Sequence, residues 1–158
     1  MVTVSNYFIL NKLVSSDQQR TTGDAGIRSP FPTLRSRILI VEDNDLNRQM
    51  LDDYLSFCGY DVLSLADGTG FFQFLIEFQP QLILLDLKLP GIDGYTILNR
   101  VREQANLSAI PIFVVSAFAF STDQQRALSL GATRYFVKPV NLAELKQAIK
   151  EELCKLRM

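Results

Sequence analysis

From Arg37 onward, short apolar runs alternate with stretches whose apolar residues recur at helical spacing. Ile38 to Val41 is rich in β-branched residues and ends in Glu42 and Asp43. Leu46, Met50, Leu51, Tyr54, Leu55 and Cys58 then mark a helix, with Asn44 or Asp45 as its N-cap and Gly59 closing it. Tyr60 to Leu65 alternates as a strand, and Gly68 and Gly70 introduce an aromatic helix, Phe71 to Phe78, stopped by Pro80. Leu82 to Asp86 predicts a third strand, and a helix with Tyr95, Ile97, Leu98 and Val101 follows the Gly91 and Gly94 loop. Ile110 to Val115 predicts a fourth strand ending at Ser116. A helix over 122–130 comes next, then a fifth strand over 135–137. A last helix carries Leu142, Leu145, Ile149 and Leu153 behind a cap at Asn141.

Five strands alternating with five helices through short connections predict an α/β fold, a doubly wound parallel sheet with helices on both faces. Continuous apolar runs suit parallel strands, which are buried on both sides. Residues 1–36 break the pattern. They are rich in Ser, Thr, Gly and Pro, and predict a flexible N-terminal extension ahead of a domain over 37–156. Within that extension, Val4 to Val14 is an apolar patch that could form a short helix or touch a partner.

Composition narrows the chemistry. The 158 residues are 47% hydrophobic and 21% charged, with a formal net charge of −1, so nothing global favours nucleic acid or an anionic membrane. There is no histidine, which excludes a Ser-His-Asp triad, an imidazole base and a His-ligated zinc. Cys58 and Cys154 form no C-x-x-C and read as reduced thiols. The longest mostly apolar stretch, Ile110 to Phe120, falls well short of the ~20 residues of a membrane span. A cytoplasmic protein is expected.

"LILLDLKLP" places Asp86 directly after a buried run, where a carboxylate loses hydration unless something compensates. In a doubly wound sheet, ligands bind beyond the carboxyl ends of the strands at the switch point. With strand order 2-1-3-4-5, Glu42, Asp43 and Asp86 converge there, beside Ser116 and Lys138. Converging carboxylates repel, and a hard divalent cation such as Mg²⁺ relieves the conflict. A nucleophilic oxygen, a metal, a hydroxyl and an ammonium are the parts of phosphoryl transfer.

"ILIVEDNDLNRQML", "LILLDLKLPGIDG", "FVVSA" and "YFVKP", in that order and each at a strand end, resemble the receiver domain of two-component response regulators over about residues 37–156. The resemblance implies a flavodoxin-like receiver with Asp86 as phosphoacceptor. Glu42, Asp43 and Asp86 would hold Mg²⁺ together with the backbone carbonyl of Lys88. Ser116 and Lys138 would contact the phosphoryl group, Tyr135 would be the switch aromatic, and the Lys138–Pro139 bond would be cis. The resemblance further implies a histidine kinase or histidine phosphotransfer protein as donor and a downstream protein target, with no direct nucleic-acid or membrane binding. It implies a phosphoacceptor protein, not an enzyme, and a stand-alone receiver is expected because no output segment follows the last helix. Lys88 and Phe118 occupy positions that modulate phosphoryl lifetime in the family.

Other classes fit less well. An aspartate-nucleophile phosphatase needs a second aspartate two residues on, where Lys88 stands, and a flavodoxin-like carrier needs a glycine-containing phosphate loop after the first strand. A receiver that binds partners without phosphorylation remains a third alternative.

Overall fold

The computed structural model describes residues 35–158. The expected extension falls outside the described residues except for Arg35 and Ser36, and so does the Val4 to Val14 patch. Ser36 is buried: its carbonyl accepts the Asp61 N–H at 3.0 Å, and its hydroxyl accepts from Arg157 at 3.0 Å.

The described elements run β1 (Arg37–Val41), α1 (Asp45–Phe57), β2 (Asp61–Leu65), α2 (Phe71–Phe78), β3 (Leu82–Leu85), α3 (Gly94–Glu103), β4 (Ile112–Ser116), α4 (Ser121–Ser129), β5 (Arg134–Val137) and α5 (Leu142–Leu156). All strand pairs are parallel and the order is β2-β1-β3-β4-β5. The predicted fold class and strand order are those observed. Central strands β3 and β4 are buried at every residue, whereas the edge strands β2 and β5 are mostly half-buried. Two-sided burial explains why the central runs read as unbroken hydrophobes.

The pleat sends alternate side chains to opposite faces. Ile38, Ile40, Leu82, Leu84 and Phe113 meet Leu51 and Leu55 of α1 and Leu145, Ala148, Ile149 and Leu153 of α5. Right-handed crossovers carry α2, α3 and α4 to the other face. There Arg100 of α3 stacks over Phe72 of α2, and Arg126 of α4 stacks over Tyr95 of α3.

Several boundaries differ from the sequence pattern. Tyr60 precedes β2, because its N–H is spent on the Leu55 carbonyl in closing α1. β4 starts at Ile112, since Pro111 has no N–H to offer a ladder. Asn44, not Asp45, caps α1 through its side chain. Leu46 and Met50 are exposed, 82% and 41%, so α1 packs through a narrow stripe and these two are not core. Gly131, with φ +99, ends the α4 connection.

Arg102 ties the α3 end of this face together. Its guanidinium donates to the carbonyls of Gly131, Ser108 and Ile110 at 2.8 to 3.0 Å. Arg102→Ala leaves these carbonyls without that donor and is expected to cost about 2 kcal/mol of unfolding free energy. A urea melt unchanged from wild type would contradict this.

Candidate functional site

Strand register builds the site. Val41 pairs with Leu85, so Glu42 and Asp86 leave the sheet side by side, and the Asp86 N–H donates to the Val41 carbonyl at 2.9 Å. Leu85 pairs with Val114, which sets Ser116 one step beyond Asp86. Ser116 pairs with Val137, so Lys138 follows, its N–H donating to the Ser116 carbonyl at 2.9 Å. Residues far apart in sequence thus meet at one rim because four strands stop in step.

Glu42, Asp86 and Ser116 are buried, 1%, 4% and 0% exposed, while Asp43 is exposed. One carboxylate oxygen from each of Glu42, Asp43 and Asp86 lies within 4.8 Å of the others. Lys138 Nζ donates to Asp86 Oδ2 at 2.7 Å and faces Glu42 Oε2 at 2.6 Å. The Lys138 ammonium is therefore shared between the two buried carboxylates. Glu42 Oε1 accepts the Asn44 N–H at 3.0 Å, and Asp86 Oδ1 accepts the Lys88 N–H at 3.0 Å.

The electrostatics follow from this crowding. Burial raises the Glu42 pKa above the ordinary carboxylate value, and the nearby Lys138 ammonium and the Asn44 N–H only partly oppose it. Burial pulls the Lys138 ammonium the other way, but its contacts with Asp86 and Glu42 outweigh that, and its pKa stands raised. Three hard carboxylate oxygens converging on one spot, two of them from buried residues, fit a small divalent cation.

The rest of the predicted set lies around this center. Ser116 Oγ accepts the Phe118 N–H at 3.2 Å, and the Phe118 carbonyl accepts the Tyr135 hydroxyl at 2.7 Å. The backbone of one residue, Phe118, therefore links Ser116 to Tyr135 through its N–H and its carbonyl. Burial raises the Tyr135 pKa, with the Ser116 hydroxyl close enough to oppose it. Lys88 is exposed, and the Lys138–Pro139 bond is cis.

Sequence reasoning takes Gly94 only as a loop marker and misses its place at the site. Its N–H donates to the Leu87 carbonyl at 2.9 Å, and a Cβ there would collide with the Asp86 carbonyl oxygen and lie 2.6 Å from Leu87 Cα. Only glycine lets the α3 start close over the backbone that carries Asp86. The signal was present as the last glycine of "LPGIDG", which reads on the page simply as a loop.

Residues 38–150 match the family model of the response regulator receiver domain. The chain belongs to that family, whose members are the phosphoacceptor modules of two-component signalling. It is 31% identical over 116 residues to the polar-differentiation response regulator DivK of Brucella anthropi, covering 73% of this chain and 94% of DivK. It is 34% identical over 119 residues to the "Probable transcriptional regulator ycf27" of Porphyridium aerugineum, covering 75% of this chain but 48% of that protein, so it spans about half the length of that relative. Among solved structures, the signal receiver domain of a signal transduction histidine kinase from Syntrophus aciditrophicus superposes with a TM-score of 0.70 at 29% identity, over 76% of this chain and 91% of that one. The chemotaxis protein CheY4 of Vibrio cholerae does so with 0.69 at 26% identity, over 74% and 98%. Among the described residues, no helix is long and apolar enough to cross a membrane.

Proposed function

We propose that Asp86 accepts a phosphoryl group from a histidine kinase or a histidine phosphotransfer protein, in a Mg²⁺-dependent reaction that switches a protein-binding surface. The observation that carries this reading is the buried Asp86 carboxylate at a strand end, with Glu42 beside it in register and Lys138 Nζ at 2.7 Å. The likeness to the receiver of a histidine kinase and to DivK supports a phosphorelay donor.

The chemistry follows from the groups present. One Asp86 oxygen forms a bond to phosphorus as the donor's bond to phosphorus breaks, and the leaving group keeps the electron pair. Glu42, Asp43 and Asp86, with the Lys88 carbonyl, would hold Mg²⁺. Bound there, the ion supplies charge neutralisation for the carboxylates and the incoming phosphoryl oxygens. Lys138 then exchanges a carboxylate partner for a phosphoryl oxygen, and Ser116 offers its hydroxyl proton.

An added charge of about −1.5 to −2 competes for that hydroxyl. Ser116 now accepts from the Phe118 N–H, so its reorientation releases the backbone of Phe118, whose carbonyl holds the Tyr135 hydroxyl. Tyr135 would then report the state of Asp86 on the α4 and β5 surface. Incubation of the full chain with acetyl phosphate and Mg²⁺, followed by intact mass, tests the reading. A phosphate adduct that disappears with EDTA supports it, and no adduct in Mg²⁺ overturns it.

Phe118, 36% exposed, follows Ser116 by two residues and donates its N–H to the Ser116 hydroxyl, so a bulky apolar side chain stands beside the site. Phe118→Glu is expected to shorten the half-life of the adduct severalfold, read by intact mass over time after the donor is removed. An unchanged half-life removes Phe118 from the control of hydrolysis.

A further inference from the structure

Helix α4 is weakly anchored for an element so near the site. Ala127 is its sole buried residue, and its N-cap, Phe120, makes no side-chain capping bond and is 77% exposed. By contrast, α5 buries Leu145, Ala148, Ile149 and Leu153, and Asn141 caps it with two hydrogen bonds. Elements with few buried contacts and no cap open at low free-energy cost. Something other than core packing must fix where α4 lies.

The α3 side supplies it. The Arg126 guanidinium lies 4.0 Å from the centroid of the Tyr95 ring, well inside cation–π range. Tyr95 is itself a firm base, 9% exposed at the start of α3, next to Gly94 on the Asp86 loop. Its hydroxyl also reaches Asp123 Oδ1 at 3.4 Å, near the limit of a hydrogen bond. Tyr95 thus meets two residues of α4, Asp123 in its first turn and Arg126 in its last. Between α4 and Ser116 lies only the loop whose Phe118 carbonyl accepts the Tyr135 hydroxyl.

We propose that Tyr95 and Arg126 form a clamp that holds α4 against α3 and so limits how readily the Ser116–Phe118 loop rearranges. Tyr95 is a positioning residue acting through Arg126 and α4; it does not touch the reacting atoms. The link to phosphorylation rests on the function proposed above, but the clamp itself does not. Ring stacking carries the contact and the long hydroxyl bond adds little, which fixes an order among variants. Arg126→Gln and Tyr95→Leu abolish the stacking, Arg126→Lys retains part of it, and Tyr95→Phe retains nearly all.

The test is amide hydrogen exchange on the full chain without phosphodonor, paired with the initial rate of adduct formation from acetyl phosphate and Mg²⁺. Arg126→Gln and Tyr95→Leu are expected to speed exchange in α4 by about fivefold or more. Exchange in β1, β3 and α5 should stay unchanged, Arg126→Lys should fall between, and Tyr95→Phe should match wild type. The same ranking is expected in the rate of adduct formation, because a loop released from its clamp reaches the phosphoryl-accepting arrangement more often. Exchange that rises equally across the domain, or is unchanged in α4, overturns the clamp. Faster α4 exchange with an unaltered rate of adduct formation overturns its coupling to the site. If wild type takes up no phosphate at all, the proposed function fails, while the exchange result still decides the clamp.

Discussion

Asp86→Asn is expected to abolish phosphoryl uptake from acetyl phosphate and leave the domain folded. The amide keeps the shape of the carboxylate and an oxygen that can still accept the Lys88 N–H, now bound at 3.0 Å. What it loses is the anionic oxygen that must attack phosphorus, and an amide is no substitute at neutral pH. Stability should change little. The substitution abolishes the ion pair of residue 86 with Lys138 but removes one of two buried carboxylates crowding each other, and Lys138 keeps Glu42 at 2.6 Å. Intact mass in Mg²⁺ and a thermal melt check both halves. An adduct on the variant equal to that of wild type would falsify the assignment of Asp86, since Asp43 or Glu42 would then be the acceptor. A variant that fails to fold would instead show that the carboxylate is needed by the scaffold.

The site was legible for a definite physical reason. Parallel strands buried on both faces read as unbroken hydrophobes, so a polar residue at the end of each run stands out, and the 2-1-3-4-5 order brings four such ends to one rim. Glu42, Asp43, Asp86, Ser116 and Lys138 are found there together. Their roles do not follow from placement and stand as proposals. Packing was less legible. Leu46 and Met50 fit the helical period of α1 yet face solvent, because period marks a face and not how much of it is covered. The contacts that carry the further inference were silent in the sequence. Tyr95 looks like one more apolar residue of α3, and Arg126 like a surface charge, until the crossover sets α4 beside α3. Likewise, the Tyr135 hydroxyl could be placed near the site from sequence, but not on a backbone carbonyl of the preceding loop.

Lys138→Met is expected to lower stability substantially, and by an amount that depends on both metal and pH. The ammonium is the counter-charge in direct contact with Glu42 and Asp86, whose side chains are 1% and 5% exposed. Methionine fills much of the volume but leaves two buried carboxylates facing each other. Removing one partner of a buried ion pair costs about 3 kcal/mol or more. The pH dependence follows from Glu42, whose folded pKa is already raised by burial. Loss of Lys138 removes an influence that lowers it, so it rises further. A carboxyl with a folded pKa above its unfolded value destabilises the fold fully above the folded pKa and not at all below the unfolded one. The variant should therefore regain stability as the pH falls from neutral through the folded pKa of Glu42. Mg²⁺ should restore stability at neutral pH by neutralising the same oxygens, and EDTA should remove that gain. Urea melts of wild type and variant across pH, with Mg²⁺ or EDTA, read all of this. A loss independent of pH and of Mg²⁺ would mean that Lys138 stabilises the domain by packing alone, and that the carboxylates at this rim are not a coupled cluster.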